Sequence, residues 1–346
     1  MIATLSNSDK DGSIGKKMSE SAAGNKGFFT RLSDRVTAFR DFTINAMAIE
    51  PMKGLVGAEC PSGKLIDLDG RGVKDLESGL LRTVGQAEKR IREDGLRMVR
   101  AFRFLDLGEG GLRELDPELS IAISSNLPML SKVSKERIWN ELQKILSCSN
   151  SMRIVESMVE HGILEEVLPG ISINTDANQS KDHIVNLALI CRDEGATGPE
   201  ISEKIGSLLR LSRKESSELS ILHEYRKIEL DSSVESVRRF SATMSDMQRS
   251  QILDYMRGSG TDTADFESKL GQNYDLKAGP RPLVDGSRIS EITGLEGGKR
   301  LGRLKDWLHR IQVERDLDSE EEVVELLAEL DWENSDFDEW QGLSWP

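Results

Sequence analysis

The first residues whose types and spacing suggest chemistry lie in one short segment. They are two acidic residues and three arginines. The segment IREDGLRMVRAFRF contains all five: Glu93, Asp94, Arg97, Arg100 and Arg103. A carboxylate only accepts hydrogen bonds, and a guanidinium only donates them. Held side by side, they match a base that presents an amino group next to an acceptor, as cytosine and adenine do. Neighbouring arginines suit phosphates.

A single helix over residues 93–104 is the element that we expect to position these side chains. Its buried edge would consist of three apolar residues at helical spacing: Leu96, Val99 and Phe102. Glu93 and Asp94 lie four and three residues before Arg97, so both carboxylates can meet that guanidinium. The alternative interpretation is a surface helix whose salt bridges contribute ~0.2–0.5 kcal/mol each, and it explains the same spacing. Spacing alone leaves both interpretations open.

The arginine-rich segment is locally basic in a chain that is acidic overall. The 346 residues carry a formal net charge of -14 at pH 7, with 37% hydrophobic and 31% charged residues. Residues 88–103 hold six Lys or Arg against three Asp or Glu, a local net charge of +3. A uniform basic surface for nucleic acid is therefore excluded, whereas a local basic strip is not.

Cysteine usage and hydropathy predict a cytoplasmic protein. Cys60, Cys148 and Cys191 lie far apart and form no CxxC pair, which argues against a disulfide framework or a structural zinc site. No apolar run approaches the ~20 residues that a membrane helix needs, so we expect no membrane partner. Neither a secretory signal nor an Arg-rich transit peptide is evident.

The coarse pattern predicts a mainly α fold. Before Gly85 the chain has short β-like runs with turn signals, as in LIDLDGRGVKDL, and after it apolar residues recur at helical spacing. Ser319 and Glu322 have the spacing of a capping box. Ile138, Leu142 and Ile145 have helical spacing in KERIWNELQKIL and predict a helix there. Further helices are predicted near residues 151–167, 181–192, 199–211, 213–231, 233–257 and 299–313.

Several blocks, in the same order, resemble the class II tRNA nucleotidyltransferase and bacterial poly(A) polymerase family. REDGLRMVRAFRF resembles the family's EDxxRxxRAxRF block, and RDFTINAMAIE resembles RRDFTxNAxxY. GKLIDLDGRGVKDLESGLLRTVG is similar to the linking block that ends in LRTVG. VSKERIWNELQKIL and HGILEEVLPGI resemble the neck, while LLRLSRKES and PLVDGSRISEITGLEGGKRLGRLKDWL resemble the body and tail.

The resemblance implies a reaction and its partners. Members transfer a nucleotide from CTP or ATP to the 3′ hydroxyl of tRNA or another RNA and release pyrophosphate, as in synthesis or repair of the tRNA CCA end. Asp94 and Arg97 would read the base, and Glu93 would orient Arg97. Arg100 and Arg103 would lie near the triphosphate. Whether CCA, CC, a single A or poly(A) is added stays open.

The RDFTIN block would contribute three more nucleotide-binding residues by the same resemblance: Arg40, Asp41 and Asn45. They match the family block that contacts the incoming ribose and phosphates. Taken alone, Arg40 and Asp41 could equally form an ion pair at a strand end, and Asn45 could be a buried amide that caps backbone groups. The block also departs from the family, because Phe39 stands where the family has its first arginine.

The family's metal-binding motif is not evident. The resemblance implies two Mg²⁺ ions held by a DxD motif after a GGxVRD segment, which activate the attacking hydroxyl and stabilise the pyrophosphate. Among the 39 residues before Arg40, only Asp9 and Asp11 have that spacing, in a Gly/Ser-rich segment that we interpret as a solvated tail. No ligand for Mg²⁺ is therefore assigned. We expect a fragment or split enzyme whose catalytic head lies on a second chain; a non-catalytic RNA-binding adaptor and an unrecognised metal site are the alternatives.

The resemblance also predicts a division of the chain. We expect a truncated α/β head remnant and then an all-helical neck, body and tail. The predicted segments are a flexible terminus (residues 1–27), a partial nucleotidyltransferase head (28–86), a neck with the nucleotide-recognition and RNA-binding helices (87–170), a body (171–276) and a tail (277–346). The acidic end contains Trp332, Trp340 and Trp345, and could dock on the body or on a partner.

Overall fold

The described part of the chain is mainly helical, which confirms the predicted fold class. A computed structural model describes residues 3–4, 40–51, 63–192, 195–272, 276–278 and 281–346. Unit 1 comprises Met1–Glu194 with Glu203–Ser216, and unit 2 comprises Gly195–Ser202 with Ser217–Pro346. Cys60 and the acidic pair at positions 9 and 11 lie outside the described residues. The five-segment division stays a prediction.

Short strands precede and interrupt a long series of helices, and both are numbered here in chain order. The strands are β1 Ala3–Thr4, β2 Met47–Pro51, β3 Gly63–Asp67, β4 Leu80–Leu81, β5 Glu114–Leu115, β6 Ser172–Ile173 and β7 Cys191–Arg192. The helices are α1 Gly72–Ser78, α2 Ala87–Glu93, α3 Leu96–Arg103, α4 Pro117–Ser125, α5 Lys135–Leu146, α6 Ser151–Glu160, α7 Ile163–Val167, α8 His183–Ile190, α9 Gly198–Leu209, α10 Arg213–Glu224, α11 Val234–Thr243, α12 Asp246–Gly258, α13 Ala264–Gln272, α14 Gly286–Thr293, α15 Lys299–Arg315 and α16 Glu320–Glu329.

A three-stranded sheet begins unit 1. Strand β2 lies in the middle, parallel to β1 and antiparallel to β3, in a register that pairs Met47 with Asp67. The Asp67 carboxylate then accepts hydrogen bonds from the amides of Gly70 and Val73. Gly70 has φ 82°, a left-handed conformation that glycine adopts without steric cost. The predicted Asp-Gly turn therefore leads from β3 into α1.

The predicted single helix over residues 93–104 is wrong, because the chain breaks into α2 and α3. Asp94 ends α2 with an extended backbone (φ −153°, ψ 109°). The break has a packing cause at Gly95, where a Cβ atom would lie 2.6 Å from the Met129 carbonyl oxygen. Only glycine permits that approach. The predicted apolar edge of the segment is nevertheless buried in α3: Leu96, Val99 and Phe102.

Two further helices predicted as continuous are also divided. The 151–167 prediction becomes α6 and α7, with Gly162 at φ 76° between them. The 233–257 prediction becomes α11 and α12, because Ser245 starts a new helix with a capping box that Gln248 completes. Helix α5 follows its prediction, and Ile138, Leu142 and Ile145 are buried along one face. The capping serine at Ser319 is confirmed by its bond from the Glu322 amide.

The acidic C-terminal segment packs on unit 2 itself. Trp340 is 3% exposed and stacks on Trp307 of α15, with ring centroids 5.2 Å apart. We call Trp307, Trp340 and the adjoining Phe337 the Trp340 cluster. Trp345 is 6% exposed and lies among three other aromatic side chains of the unit: Tyr225, Phe240 and Phe266. Of the two predicted docking alternatives, these contacts match docking within the chain.

Among the helices described, none is both long and apolar enough to cross a membrane.

Candidate nucleotide-binding site

Backbone pairing fixes Asp41 in unit 1. The Asp41 carbonyl accepts a hydrogen bond from the Val84 amide at 3.1 Å, and the Thr43 amide donates to the Arg82 carbonyl at 2.9 Å. Phe42 between them is fully buried. Thr43 Oγ1 also donates to the buried Asp75 carboxylate at 2.7 Å. The DFT tripeptide is thereby anchored, and the Asp41 side chain leaves from a rigid backbone.

The Asp41 carboxylate holds two arginines of α3. Its Oδ1 accepts from Arg97 Nε at 2.9 Å, and its Oδ2 accepts from Arg100 Nε at 2.6 Å. The side chains of Asp41 and Arg97 are each only 13% exposed. Asp41 therefore serves as the counterion of two guanidinium groups rather than as a partner of Arg40.

Arg97 is held from three sides. Besides the bond to Asp41, its Nη1 donates to the Arg90 carbonyl at 2.5 Å and to Glu93 Oε2 at 3.0 Å. Glu93 Oε2 also accepts from Arg90 Nη1 at 2.5 Å, and Arg90 Nη2 donates to the Arg40 carbonyl at 2.8 Å. Within the described residues, Nη2 of Arg97 makes no hydrogen bond. One edge of an otherwise fixed guanidinium thus stays available to a ligand.

Asp94 does not pair with Arg97, contrary to the predicted three-residue spacing. Because α2 ends before Asp94, its carboxylate turns toward α5, and Oδ2 accepts from Arg137 Nη2 at 2.7 Å. Its Oδ1 accepts from the Leu96 amide at 3.1 Å, at the start of α3. Asp94 keeps a partly exposed side chain just before the helix that carries Arg97.

A buried carboxylate on α5 binds the last arginines of α3. Glu141 is 5% exposed, and its oxygens lie 3.0 Å from Arg103 Nε, 3.5 Å from Arg100 Nη1 and 3.1 Å from Lys144 Nζ. The Arg103 guanidinium also lies over the Phe104 ring, 4.2 Å from its centroid. Arg100 and Arg103 are therefore oriented by both charge and stacking.

These contacts define a single charged cluster, which we call the site cluster. Its members are Asp41, Arg90, Glu93, Asp94, Arg97, Arg100, Arg103, Arg137, Glu141 and Lys144. It contains six cations and four carboxylates, so a positive excess remains for an anionic ligand.

The other two predicted residues, Arg40 and Asn45, contribute no side-chain contact to the cluster. Arg40 is exposed, and only its carbonyl takes part, as the acceptor from Arg90. Asn45 is half-buried at the end of the 3₁₀ turn Thr43–Asn45, and its side chain makes no hydrogen bond within the described residues. Their roles toward ribose and phosphate stay predictions.

The guanidinium groups lower the pKa of two carboxyls. Burial alone would raise the pKa of Glu93, but hydrogen bonds and charge from Arg97 and Arg90 outweigh it and lower that pKa. Burial likewise opposes the shift at Asp94, where the Arg137 hydrogen bond and the Leu96 amide lower the pKa. Both groups therefore stay acceptor-only carboxylates across neutral pH.

Sequence reasoning missed four members of the site cluster: Arg90, Arg137, Glu141 and Lys144. Glu141 had a readable signal, because it lies three residues after Ile138 and next to Leu142, on the buried face of α5. A buried carboxylate requires a cationic partner. Arg90 and Lys144 had a weaker signal, because each lies three residues from a carboxylate on its own helix. Arg137 had none, because its contact with Asp94 depends on the break between α2 and α3.

The described residues do not fit the magnesium site that the resemblance implies. Mg²⁺ takes oxygen ligands in octahedral geometry, including one or two carboxylates. All four carboxylates of the site cluster are engaged by arginines. Over the described ranges, no group of three or more His, Cys, Asp or Glu side chains is arranged to hold a metal ion.

One family model matches the helices around α5. Residues 114–174 match the model described as the probable RNA and SrmB-binding site of polymerase A. This match includes α4 to α7, and therefore Arg137 and Glu141 of the site cluster.

Known proteins are similar to the chain over different lengths. A CCA-adding enzyme of Lactobacillus johnsonii is 42% identical over 132 residues, which are 38% of this chain and 29% of the relative. That match spans under a third of the relative. A CCA-adding enzyme of Streptococcus pyogenes is 26% identical over 328 residues, covering 87% of this chain and 73% of the relative. The crystal structure of the Bacillus stearothermophilus CCA-adding enzyme in complex with CTP is 24% identical, with a TM-score of 0.66, and covers 86% of this chain and 74% of that chain. This last likeness concerns the fold alone.

Proposed function

Since the chain belongs to the class II CCA-adding enzyme and poly(A) polymerase family, we propose that it selects CTP and ATP for addition to the 3′ end of tRNA or a similar RNA. The observation that carries the proposal is the restrained Arg97 guanidinium. Asp41, Glu93 and the Arg90 carbonyl hold it, while Nη2 stays available. Preorganised donors of this kind recognise a ligand without a further ordering cost.

Base selection would rest on Asp94 and Arg97 together. The Asp94 carboxylate accepts a hydrogen bond from the amino group of cytosine or adenine, and Arg97 donates to the neighbouring ring nitrogen. Uracil and guanine present a carbonyl oxygen where cytosine and adenine present the amino group. That oxygen faces a carboxylate that has no proton to donate, so both bases are disfavoured.

The phosphates of the nucleotide would meet Arg100 and Arg103. Both guanidinium groups are partly exposed, at 30% and 21% of their side chains, and each contacts a carboxylate, Asp41 for Arg100 and the buried Glu141 for Arg103. Arginine binds phosphate through paired donors in a fixed plane. Arg40 is a further exposed cation on the same block as Asp41, and we assign it and Asn45 to the ribose and phosphates on the family resemblance alone.

Nucleotide transfer would need Mg²⁺, whose ligands we propose to lie outside the described residues, on a second chain that carries the catalytic head. This chain would then supply base selection and RNA binding. The residues that match the RNA-binding family model include three exposed cations away from the site cluster: Lys132, Lys135 and Arg153. Phosphate contacts of this kind make RNA binding strongly salt-dependent.

Equilibrium dialysis of the whole chain against labelled CTP, ATP, UTP and GTP tests base selection. We expect CTP and ATP to bind about tenfold more tightly than UTP and GTP, the discrimination of one well-placed pair of hydrogen bonds. Asp94→Ala should abolish the preference, and Asp69→Asn, whose carboxylate pairs with Arg71, should keep it. Equal affinity of the wild-type chain for all four nucleotides would overturn the proposal.

Two assays separate the second-chain proposal from a non-catalytic adaptor. The pure chain is incubated with tRNA that lacks its CCA end, CTP, ATP and Mg²⁺, and labelled product would contradict the need for a second chain. The adaptor reading draws on the match to the RNA-binding family model. It predicts salt-sensitive tRNA binding with no nucleotide preference, so selective CTP and ATP binding counts against it.

A further inference from the structure

Arg137, on helix α5, contacts the carboxylate of Asp94, to which we assigned recognition of the base. Its Nη2 donates to Asp94 Oδ2 at 2.7 Å, across 43 residues of sequence. The opposite oxygen, Oδ1, accepts from the Leu96 amide at 3.1 Å. The carboxylate is thus held at both oxygens and cannot rotate freely about its terminal bond.

The position of Arg137 separates this contact from the packing of the core. It lies in the first turn of α5, where its amide donates to the capping Ser134 side chain at 3.4 Å. Its side chain is 52% exposed, whereas the next residue, Ile138, is buried. A guanidinium has five donor hydrogens. Substitution of Arg137 should therefore change the position and ionisation of the Asp94 carboxylate far more than the stability of the fold.

We propose that Arg137 is a positioning residue for base selection, which holds the Asp94 carboxylate as a fixed, ionised acceptor against the amino group of an incoming cytosine or adenine. The inference rests on the proposed function, in which Asp94 reads the base. Each carboxylate oxygen can accept more than one hydrogen bond, so Arg137 and a base amino group can share Asp94.

Protonation gives this role a specific signature. A protonated carboxyl group becomes a donor, and a donor suits the carbonyl oxygen of uracil or guanine. The charged groups that face Asp94 are Arg137 from α5 and Arg97 from α3, and both lower the pKa of Asp94. Without Arg137, the Asp94 pKa rises, and discrimination against UTP is lost at a higher pH than in the wild-type chain.

The test compares Arg137→Gln, Arg137→Lys and a control, Arg213→Gln, on the whole chain. Arg213 is an exposed arginine in the first turn of α10, so its substitution removes the same charge from a comparable helix position. Dialysis affinities for CTP and UTP are measured from pH 4 to pH 8. We expect the preference for CTP to fall about tenfold in Arg137→Gln, to recover partly in Arg137→Lys and to persist in Arg213→Gln.

A double substitution distinguishes positioning from a separate contact with the nucleotide. If Arg137 acts through Asp94, Arg137→Gln changes nothing further in an Asp94→Asn background. A wild-type chain that prefers CTP, together with an Arg137→Gln variant that keeps the preference and its pH profile, overturns this inference and leaves the proposed function standing. A wild-type chain without any nucleotide preference overturns both.

Discussion

The site cluster of unit 1 and the Trp340 cluster of unit 2 are built from opposite kinds of interaction. In the site cluster, hydrogen-bonded ion pairs fix Arg97 and Arg100, and an ion pair with Glu141 holds Arg103. In the Trp340 cluster, stacked rings and apolar contacts bury Trp340 almost completely, within a core that includes Leu304 and Leu308.

The site cluster is organised to bind a ligand, whereas the Trp340 cluster is organised to stabilise the fold. A guanidinium can be held by some of its donors while another stays without a hydrogen bond, as Nη2 of Arg97 does within the described residues. A buried ring has no comparable group left for a ligand, and its contribution is apolar area removed from water. The charged cluster should therefore control ligand affinity and respond to pH, whereas the aromatic cluster should control only the free energy of unfolding.

Trp340→Ala should produce the largest loss of stability. The substitution deletes a ring that is 3% exposed and stacked on Trp307, and buried aromatic-to-alanine changes cost about 3–5 kcal/mol. Urea unfolding followed by circular dichroism measures the loss. Trp332→Ala, at a partly buried neighbour of the same core, should cost less. A loss below about 1 kcal/mol for Trp340→Ala would refute a stabilising role for the C-terminal segment.

Glu141→Ala should produce the next largest loss, for an electrostatic reason. The substitution leaves Arg103 without its buried counterion and removes one of the two carboxylates that contact Arg100, which costs about 3 kcal/mol. Glu136→Ala on the same helix is the matched control, because its carboxylate is 62% exposed and lies 4.0 Å from Arg210, a pair worth at most about 0.5 kcal/mol. Equal effects of the two substitutions in urea unfolding would show that Glu141 is not a structural counterion.

The two clusters also differ in what the sequence could predict. The apolar stripes of α3 and α5 follow from spacing alone, and Leu96, Val99 and Ile145 are buried as expected. The turn at Gly70 follows from an Asp-Gly pair. These features depend on residues a few positions apart, where backbone geometry sets which side chains share a face.

Spacing predicted the contact of Glu93 with Arg97, four residues apart, which the structure contains. The long-range partners of the charged residues could not be read from spacing. Asp94 was expected to meet Arg97 on one helix, but the contact of Gly95 with the Met129 carbonyl ends that helix and turns Asp94 toward Arg137. The bond from Arg97 to Asp41 spans 56 residues. Such pairs depend on tertiary packing. The break before α12 was readable, because Ser245 and Gln248 have the spacing of a capping box.

Asp41→Asn should weaken nucleotide binding with a smaller effect on the fold than Glu141→Ala. The amide keeps the shape of the side chain but removes the charge that aligns Arg97 and Arg100. We expect CTP affinity to fall about tenfold, which equals about 1.4 kcal/mol, measured by equilibrium dialysis. Asp69→Asn is the control. Unchanged CTP affinity in Asp41→Asn would remove Asp41 from the account of the site.

Asp94→Asn should give the smallest loss of stability. The pH dependence of that loss distinguishes the site cluster from the Trp340 cluster. The Asp94 pKa is lowered from its ordinary value of 3.8, so its stabilisation is present above that value and is lost as the pH falls through the lower folded-state pKa. Because a third of the side chain is exposed, Asp94→Asn should cost only about 0.5 kcal/mol at pH 7. Urea unfolding at pH 7 and at pH 3 should show this difference shrinking with acid, while the penalty of Trp340→Ala stays constant. A difference that grows with acid would contradict the lowered pKa, and with it the assignment of Asp94 as a fixed acceptor in neutral solution.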